Sequence, residues 1–270
     1  RTGGEDLDWM KVILKGFQDA KQAGIDCIPR LILSIKRDKP ASLAERVVNN
    51  AIALKDCGVV AVDFCGVDTR GNPFTKEFAA AVRKARAAGL AFVPHFAELT
   101  GEEDLLDILD ECPSRLGHAV FMDEKPEVAQ RIRQARIPVE CCLVNNLNTM
   151  KRDGHLPDVV VGPVARYHRM FSKWMAEGHP IALCCDNRTH TGLLSDNYRL
   201  AASFLGASPE EVKIAAWRLA SGAVNHILAG DEVKDMLRRR LALHPWRPEV
   251  RREAEVCLSR TQKKRKSSEA

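Results

Sequence analysis

Four side chains with the chemistry of a metal-dependent hydrolase each follow a short apolar run of the sequence. His95 and Glu98 lie three residues apart after one run, His118 ends a second run, and Asp186 follows a third. Neutral imidazole and carboxylate are ligands of zinc, and a bound divalent ion lowers the pKa of water enough to supply hydroxide near neutral pH. A single histidine at such a place is more often a buried structural residue. The group of four predicts a hydrolytic metal site if the fold brings them together.

The elements that must position these residues alternate along the chain. Six short apolar or β-branched runs predict strands at residues 28–35, 59–64, 91–95, 116–120, 139–144 and 181–184. The segments between them have helical periodicity. Residues 76–88, for example, place Phe78, Val82 and Ala85 on one face, and Gly89 follows as a stop signal. Strands alternating with helices in one direction predict parallel strands covered by helices.

Polar residues at strand ends distinguish an open doubly wound sheet from a closed barrel. Asp63, His95, His118, Asn146 and Asp186 follow five different predicted strands. A barrel gathers all such ends at one mouth, whereas an open sheet gathers only those at its switch point. The sequence contains no glycine-rich phosphate fingerprint. We predict an α/β fold, a (β/α)₈ TIM-type barrel with about six of its eight strands present, followed by helices at residues 196–205, from Ser208 onward and at 231–241.

Taken in order, these motifs resemble the adenosine and AMP deaminase family, above all its adenosine deaminase-like branch that acts on N6-modified AMP. The similarity spans residues 8–241. It rests on a strand ending in aspartate and glycine at 60–66, H-x-x-E at 95–98, R-[LI]-G-H at 115–118 and a strand ending in C-x-x-[SN] at 138–146. It also rests on Asp186-Asn187, which stand where the family has paired aspartates. The resemblance implies the barrel of the metal-dependent hydrolases. It also implies zinc-dependent hydrolytic deamination of adenosine, AMP or N6-methyl-AMP to the 6-oxopurine.

The resemblance also implies a role for each motif residue. His95 and Asp186 bind one zinc ion, Glu98 and His118 are catalytic, and Gly66, Asn146 and Asn187 contact the substrate. Attack of hydroxide on the ring carbon that bears the amino group builds negative charge on the adjacent ring nitrogen, so a protonated carboxyl such as Glu98 must donate to it. His118 orients or deprotonates the attacking water. Structural alternatives remain for three positions: His118 as a rim hydrogen bond, Gly66 as a turn glycine, and Asn145 with Asn146 as loop-closing amides.

Three departures from the family pattern bear on activity. The family opens its barrel with H-x-H, which supplies two more zinc ligands, and this sequence contains no H-x-H. An N-terminally incomplete deaminase would lack both the two strands and the two ligands, and we then expect the chain alone to be inactive. The rival is a degenerate relative, whose open barrel would leave two unpaired edges. Asn187 replaces an aspartate, and its amide either preserves donation to the purine or marks lost function. Ala119 and Val67 replace a glycine and an acid.

Three functional hypotheses follow. The first is a zinc hydrolase of the adenosine/AMP deaminase type. The second is a catalytically inactive family member, a purine-binding pseudoenzyme, which the missing H-x-H and Asn187 favour. The third is a related hydrolase that acts on a pyrimidine or a small amide. A nucleotide substrate needs a phosphate contact, for which Lys36, Arg37, Arg70 and Arg188 are candidates. The sequence does not decide between nucleoside and monophosphate.

Composition sets the remaining expectations for this 270-residue chain. It is 45% hydrophobic and 29% charged, which predicts a folded barrel domain at 1–243 and a basic, disordered tail at 244–270. Residues 251–270 hold seven Lys or Arg and three Glu, which is most of the net charge of +5. The body of the chain is therefore nearly neutral and has no long-range electrostatic field that would attract nucleic acid. A solvated end is favoured over nuclear import or RNA binding for the tail. No apolar stretch suits a membrane, and nine cysteines without C-x-x-C favour the cytosol. The oligomeric state stays open.

Overall fold

The computed structural model describes residues 6–66, 71–152, 161–187, 192–204, 208–245 and 247. The strands are β1 Leu31–Lys36, β2 Val59–Cys65, β3 Ala91–Phe92, β4 His95–Phe96, β5 Leu116–His118, β6 Val139–Cys141 and β7 Ile181–Leu183. The helices are α1 Leu7–Gln22, α2 Ala41–Ala53, α3 Lys76–Ala87, α4 Leu105–Asp110, α5 Pro126–Ala135, α6 Leu143–Arg152, α7 Val161–Ala176, α8 Leu194–Phe204, α9 Pro209–Ala223 and α10 Asp231–Ala242. No helix in the described ranges is both long and apolar enough to cross a bilayer.

All strand pairs are parallel, as the alternation of strands and helices predicts. The described strands form two sheets, in the orders β1-β2-β3 and β4-β5-β6-β7. All six predicted strands are present, but the one at 91–95 is split into β3 and β4 by Pro94, which has no backbone N–H to donate. The Pro94 carbonyl still accepts from the Gly117 N–H at 2.8 Å, so the two halves remain in line with their neighbours. The predicted α/β barrel class is therefore confirmed, with this interruption.

Three strand boundaries differ from the prediction by more than one residue. The first strand begins at Leu31 rather than residue 28, directly after Pro29 and Arg30. The strand predicted to reach residue 120 ends at His118, because His118 and Ala119 adopt left-handed backbone angles, with φ of 65° and 50°.

The third difference is at residues 143 and 144, where the prediction of a strand was wrong because these residues belong to a helix. β6 ends at Cys141, and α6 begins at Leu143. The Val144 N–H, one of the helix-start donors that lacks an intrahelical acceptor, donates to the side-chain oxygen of Asn197 at 3.1 Å. Asn146 therefore lies in the first turns of a helix rather than in a loop. A partner 53 residues away in the sequence satisfies this helix start, which local periodicity does not show.

The helix signals in the sequence are borne out where the structure describes them. Helix α1 begins after Asp6, whose carboxylate accepts from two backbone N–H groups of the first turn. Ser208 caps α9 in a reciprocal arrangement with Glu211. Helix 196–205 is α8, with residue 205 outside the described part, and helix 231–241 is α10. Of the tail expected at 244–270, residues 246 and 248–270 also lie outside the described residues.

The core lies between the sheet and the outer helices. Phe64 of β2 packs against Phe74 and Phe78, with ring centroids 5.0 Å from each, and Phe74 reaches Phe92 of β3 at 6.2 Å. Burying one such side chain contributes about 1.5–3 kcal/mol. Alternate residues of the strands point the other way: next to buried Leu33, Ser34 is half-buried and faces its register partner Asp63. The helix-facing side of the sheet thus holds the core, and the inner side holds polar groups.

Candidate functional site

A cleft of about 340 Å³ lies at the carboxyl ends of the strands. Its lining includes Ser34, Asp63, His95, His118, Glu140, Cys142, Cys184, Cys185 and Asp186. Three of the four side chains singled out in the sequence therefore share one cavity, and the fourth, Glu98, contacts His118. The lining residues come from six separate segments of the chain. Convergence at strand ends is the arrangement in which barrel hydrolases build their sites.

Asp63 fixes the imidazole of His95. The Asp63 Oδ1 atom lies 2.9 Å from His95 Nδ1 and also accepts the His95 backbone N–H at 3.2 Å. The other carboxylate oxygen accepts from the Ser34 hydroxyl at 3.0 Å. A metal-binding histidine commonly donates its second ring N–H to a carboxylate in this way. The bond to Nδ1 leaves Nε2 as the nitrogen available to an ion.

The charges around His95 favour a cation. Burial alone would lower the pKa of His95, but the negative charges of Asp63, Glu98 and Asp186 raise it to about 9. Burial likewise opposes ionisation of Asp63, yet His95 and Ser34 hold the pKa of this carboxyl below its usual value. A group of carboxylates that retains a proton on imidazole also attracts a divalent ion, which competes with that proton. The donor set therefore fits a metal of the zinc type.

Two sets of donors could take part in holding an ion, and both include His95. Asp63, Cys65 and His95 each offer one ligand atom, and these atoms all lie within 4.8 Å of one another. Burial, reinforced by Asp63, raises the pKa of the Cys65 thiol to about 11, so it carries its proton at neutral pH. Asp63 is moreover engaged with Nδ1. The chemistry of the donors therefore favours His95 with Asp186, the pair predicted from the sequence.

Replacing Asp63 with asparagine is expected to weaken zinc binding by roughly 10–100-fold, the usual effect of losing an outer carboxylate partner. The asparagine keeps the size of the side chain but loses the charge that orients and polarises His95. Competitive titration with a chromogenic chelator measures the affinity. Asp38→Asn, at an exposed carboxylate after β1, is the matched control and should leave the affinity unchanged. Equal affinity of the two variants would show that Asp63 has no such role.

Glu98 and His118 form the second half of the site. The Glu98 Oε2 atom lies 3.6 Å from His118 Nε2, and these side chains are 15% and 2% exposed. The opposite ring nitrogen of His118 faces the side-chain oxygen of Asn146 at 3.4 Å. The rings of His95 and His118 have centroids 5.0 Å apart. Helix α6 therefore places the Asn146 amide beside His118.

Gly66 has a structural reason to be glycine at the end of β2. Its φ is 133°, which side chains rarely adopt, and an added Cβ would lie 2.7 Å from Cγ of Arg37. Arg37 itself is buried against Asp104, at 3.1 Å. Asn187 follows Asp186 and is half-buried. Substrate contact by Gly66, Asn146 and Asn187 stays a prediction.

Some residues that support the site were not predicted from the sequence. Ser34 lies opposite Asp63 in the register of β1 and β2, and a polar residue inside an apolar strand was the one available signal. Glu102 accepts the backbone N–H groups on either side of Glu98, and no motif or periodicity indicates this. Cys142 lines the cleft from the end of β6.

Parallel strands covered by helices, with imidazoles and carboxylates converging at the strand ends, define the barrel class of the metal-dependent hydrolases. The family model described as Adenosine deaminase matches residues 5–242 of this chain, and the chain belongs to that family. The N6-mAMP deaminase of Arabidopsis thaliana is 33% identical over 261 residues, which cover 87% of this chain and 67% of that protein.

Solved structures agree with this assignment. Arabidopsis ADAL complexed with GMP superposes with a TM-score of 0.71 at 28% identity, covering 90% of this chain and 68% of that one. Arabidopsis ADAL complexed with IMP superposes with a TM-score of 0.70 at 29% identity, covering 87% of this chain and 66% of that one. The chain spans about two thirds of the length of the curated relatives that it matches.

Proposed function

We propose that this protein is a zinc-dependent deaminase that converts a 6-aminopurine nucleotide, foremost N6-methyl-AMP, to the 6-oxopurine by hydrolysis. The observation that carries the proposal is the contact of Glu98 with His118, which lines the cleft together with His95 and Asp186. A carboxyl and an imidazole in contact, beside donors for a divalent ion, provide the groups that aromatic deamination requires. Family membership and the names of the relatives support the same reaction.

The chain's own residues divide the work. Asp63 holds His95 in one orientation, and His95 with Asp186 would bind zinc, which supplies Lewis acidity for the activation of water. Glu98 carries a proton to the ring nitrogen that gains electrons when the neighbouring carbon is attacked. His118 accepts a proton from water, and Asn146 holds its opposite ring nitrogen.

Several features favour a nucleotide over a free nucleoside. The Arabidopsis structures contain GMP and IMP, both 5′-monophosphates. Among the four basic candidates for a phosphate contact, Arg37 is engaged by Asp104, whereas Lys36 at the end of β1 is half-buried. Arg70 and Arg188 lie outside the described residues. Of the two described candidates, Lys36 is therefore the one that we propose for the phosphate contact.

The function is tested with N6-methyl-AMP, AMP and adenosine as substrates, by chromatographic detection of the 6-oxopurine product. This chain and the product of any longer transcript that contains it are assayed side by side, with zinc content measured in each. We expect N6-methyl-AMP to be converted at least 10-fold faster than adenosine by the zinc-loaded protein. Binding of IMP without turnover of any substrate would instead establish the pseudoenzyme alternative. Conversion of a pyrimidine or a small amide alone would contradict both.

A further inference from the structure

The segment that carries Glu98 is held by a second carboxylate. The two oxygens of Glu102 accept the backbone N–H groups of Ala97 and Leu99, at 3.0 and 3.1 Å. These two amides flank Glu98 on either side. The Ala97 carbonyl accepts from the Phe121 N–H at 2.9 Å, which fixes the same segment from the side of β5. Glu102 is thus a clamp on the peptide units that determine where the Glu98 side chain begins.

The conformation that this clamp holds is unfavourable on its own. Ala97 has a φ of 45°, in the left-handed region where non-glycine residues cost about 1–2 kcal/mol. Its side chain is fully buried, so the turn cannot relax toward solvent. Two charge-assisted hydrogen bonds to one carboxylate are strong enough to offset such a cost. Without these hydrogen bonds, relief of the backbone strain at Ala97 would favour movement of the segment between β4 and α4 away from the position that brings Glu98 to His118.

Glu102 also lies at a buried position, where an ionised carboxylate carries a desolvation cost. It is 5% exposed, and burial raises its pKa although the two N–H donors and the charge of Arg37 act in the opposite direction. Two residues further on, Asp104 is anchored by Arg37 and by the Phe74 N–H at 2.8 Å. Asp104 is therefore tied to the residue that follows β1 and to the segment that precedes α3. A buried carboxylate whose two oxygens both accept backbone N–H groups points to a supporting role.

We infer that Glu102 is a positioning residue for Glu98, which sets the location of the proton donor through the backbone on both sides of it. The inference rests on the proposed function, because it assigns Glu98 the contact with the purine. A 6-oxopurine has a proton on the ring nitrogen next to the carbonyl carbon, and that N–H donates to a carboxylate such as Glu98. Affinity for IMP therefore reports the position of Glu98 without requiring turnover.

The test is a double-mutant cycle read by calorimetric titration with IMP. Glu102→Gln keeps the shape of the side chain but replaces one accepting oxygen with a donor, so it cannot accept both amides. We expect about 10-fold weaker IMP binding than in the unmodified chain, and no further loss when Glu102→Gln is added to Glu98→Ala. Glu103→Gln, at the exposed neighbouring carboxylate, is the matched control and should bind as the unmodified chain does. Additive losses, or a Glu102→Gln affinity equal to that of the control, would overturn the inference.

A second measurement separates this inference from the proposed function. Amide hydrogen exchange is followed at Ala97 and Leu99 in the same two glutamine variants, without nucleotide. Glu102→Gln should accelerate exchange at these amides at least 10-fold and leave α3 and α5 unchanged, whereas Glu103→Gln should change neither. Failure of the unmodified chain to bind IMP contradicts the proposed function, and the exchange rates then decide the role of Glu102. Exchange that is equal in both variants refutes the clamp.

Discussion

Replacing Glu98 with glutamine is expected to reduce the rate of deamination by roughly 10²–10⁴-fold, the usual contribution of a positioned general acid. Glutamine has the size of glutamate and can still form hydrogen bonds with the purine, but it has no acidic proton to transfer to the ring nitrogen. Zinc content should stay the same, because His95 and Asp186 rather than Glu98 hold the ion in our proposal. Steady-state rates with N6-methyl-AMP and elemental analysis of the same sample measure both quantities.

The outcome for Glu98→Gln distinguishes a proton donor from a ligand. Loss of zinc together with activity would make Glu98 a metal ligand and would contradict its catalytic role. Retained activity would remove it from the mechanism altogether. Glu103→Gln serves as the control, since this carboxylate lies five residues from Glu98 on the exposed side of the same segment. Its rate should remain within about twofold of the unmodified protein, as expected for a surface position away from the site.

Replacing Asp104 with alanine is expected to lower the free energy of unfolding by about 3–5 kcal/mol, the usual result of leaving one member of a buried ion pair alone. The Arg37 and Asp104 side chains are 2% and 4% exposed, so solvent cannot compensate the remaining guanidinium. Asp104 also accepts from the Phe74 N–H, which would lose its partner. Arg37 lies over the Phe64 ring at 4.6 Å and cannot leave without disturbing the core. Denaturant unfolding followed by circular dichroism measures the change.

Two further variants show that charge burial causes this loss. Asp38→Ala removes an exposed carboxylate beside Lys39, where both side chains are about half exposed, and should cost less than about 1 kcal/mol. The double variant Arg37→Met with Asp104→Leu removes both charges and fills the space with apolar groups, so it should recover at least half of the stability lost in Asp104→Ala. An Asp104→Ala variant as stable as Asp38→Ala would contradict the buried pair as a stabilising feature.

Sequence reasoning located the strands and the main side chains of the cleft because both follow local rules. Apolar runs predict strands, and polar residues at their carboxyl ends predict a common mouth, which places His95, His118 and Asp186 correctly in one cavity. The division at Pro94 was also accessible, since proline cannot donate to a neighbouring strand. The prediction treated that run as continuous because the residues around it are apolar.

The remaining errors and omissions depend on contacts between distant segments. Nothing near Leu143 in the sequence indicates that Asn197 satisfies the start of α6. Glu102 is likewise one acidic residue in a run of three, Glu102, Glu103 and Asp104, whose members differ in burial only after folding. Burial of a carboxylate depends on what packs over it. Local periodicity therefore identifies which chemistry is available, and the tertiary fold decides which carboxylates act directly and which ones support.

The left-handed residues beside the cleft determine how this site could change by mutation. Ala97, His118 and Ala119 all have positive φ although none is glycine. The family pattern that this sequence resembles has glycine after the histidine, at the place of Ala119, and glycine adopts such angles without steric cost. Exchange of either alanine for glycine would relieve torsional strain, whereas valine, isoleucine or threonine would add to it. In a saturation-mutagenesis screen, these two positions should accept glycine and asparagine and reject branched side chains, a tolerance opposite to that of the adjoining strands.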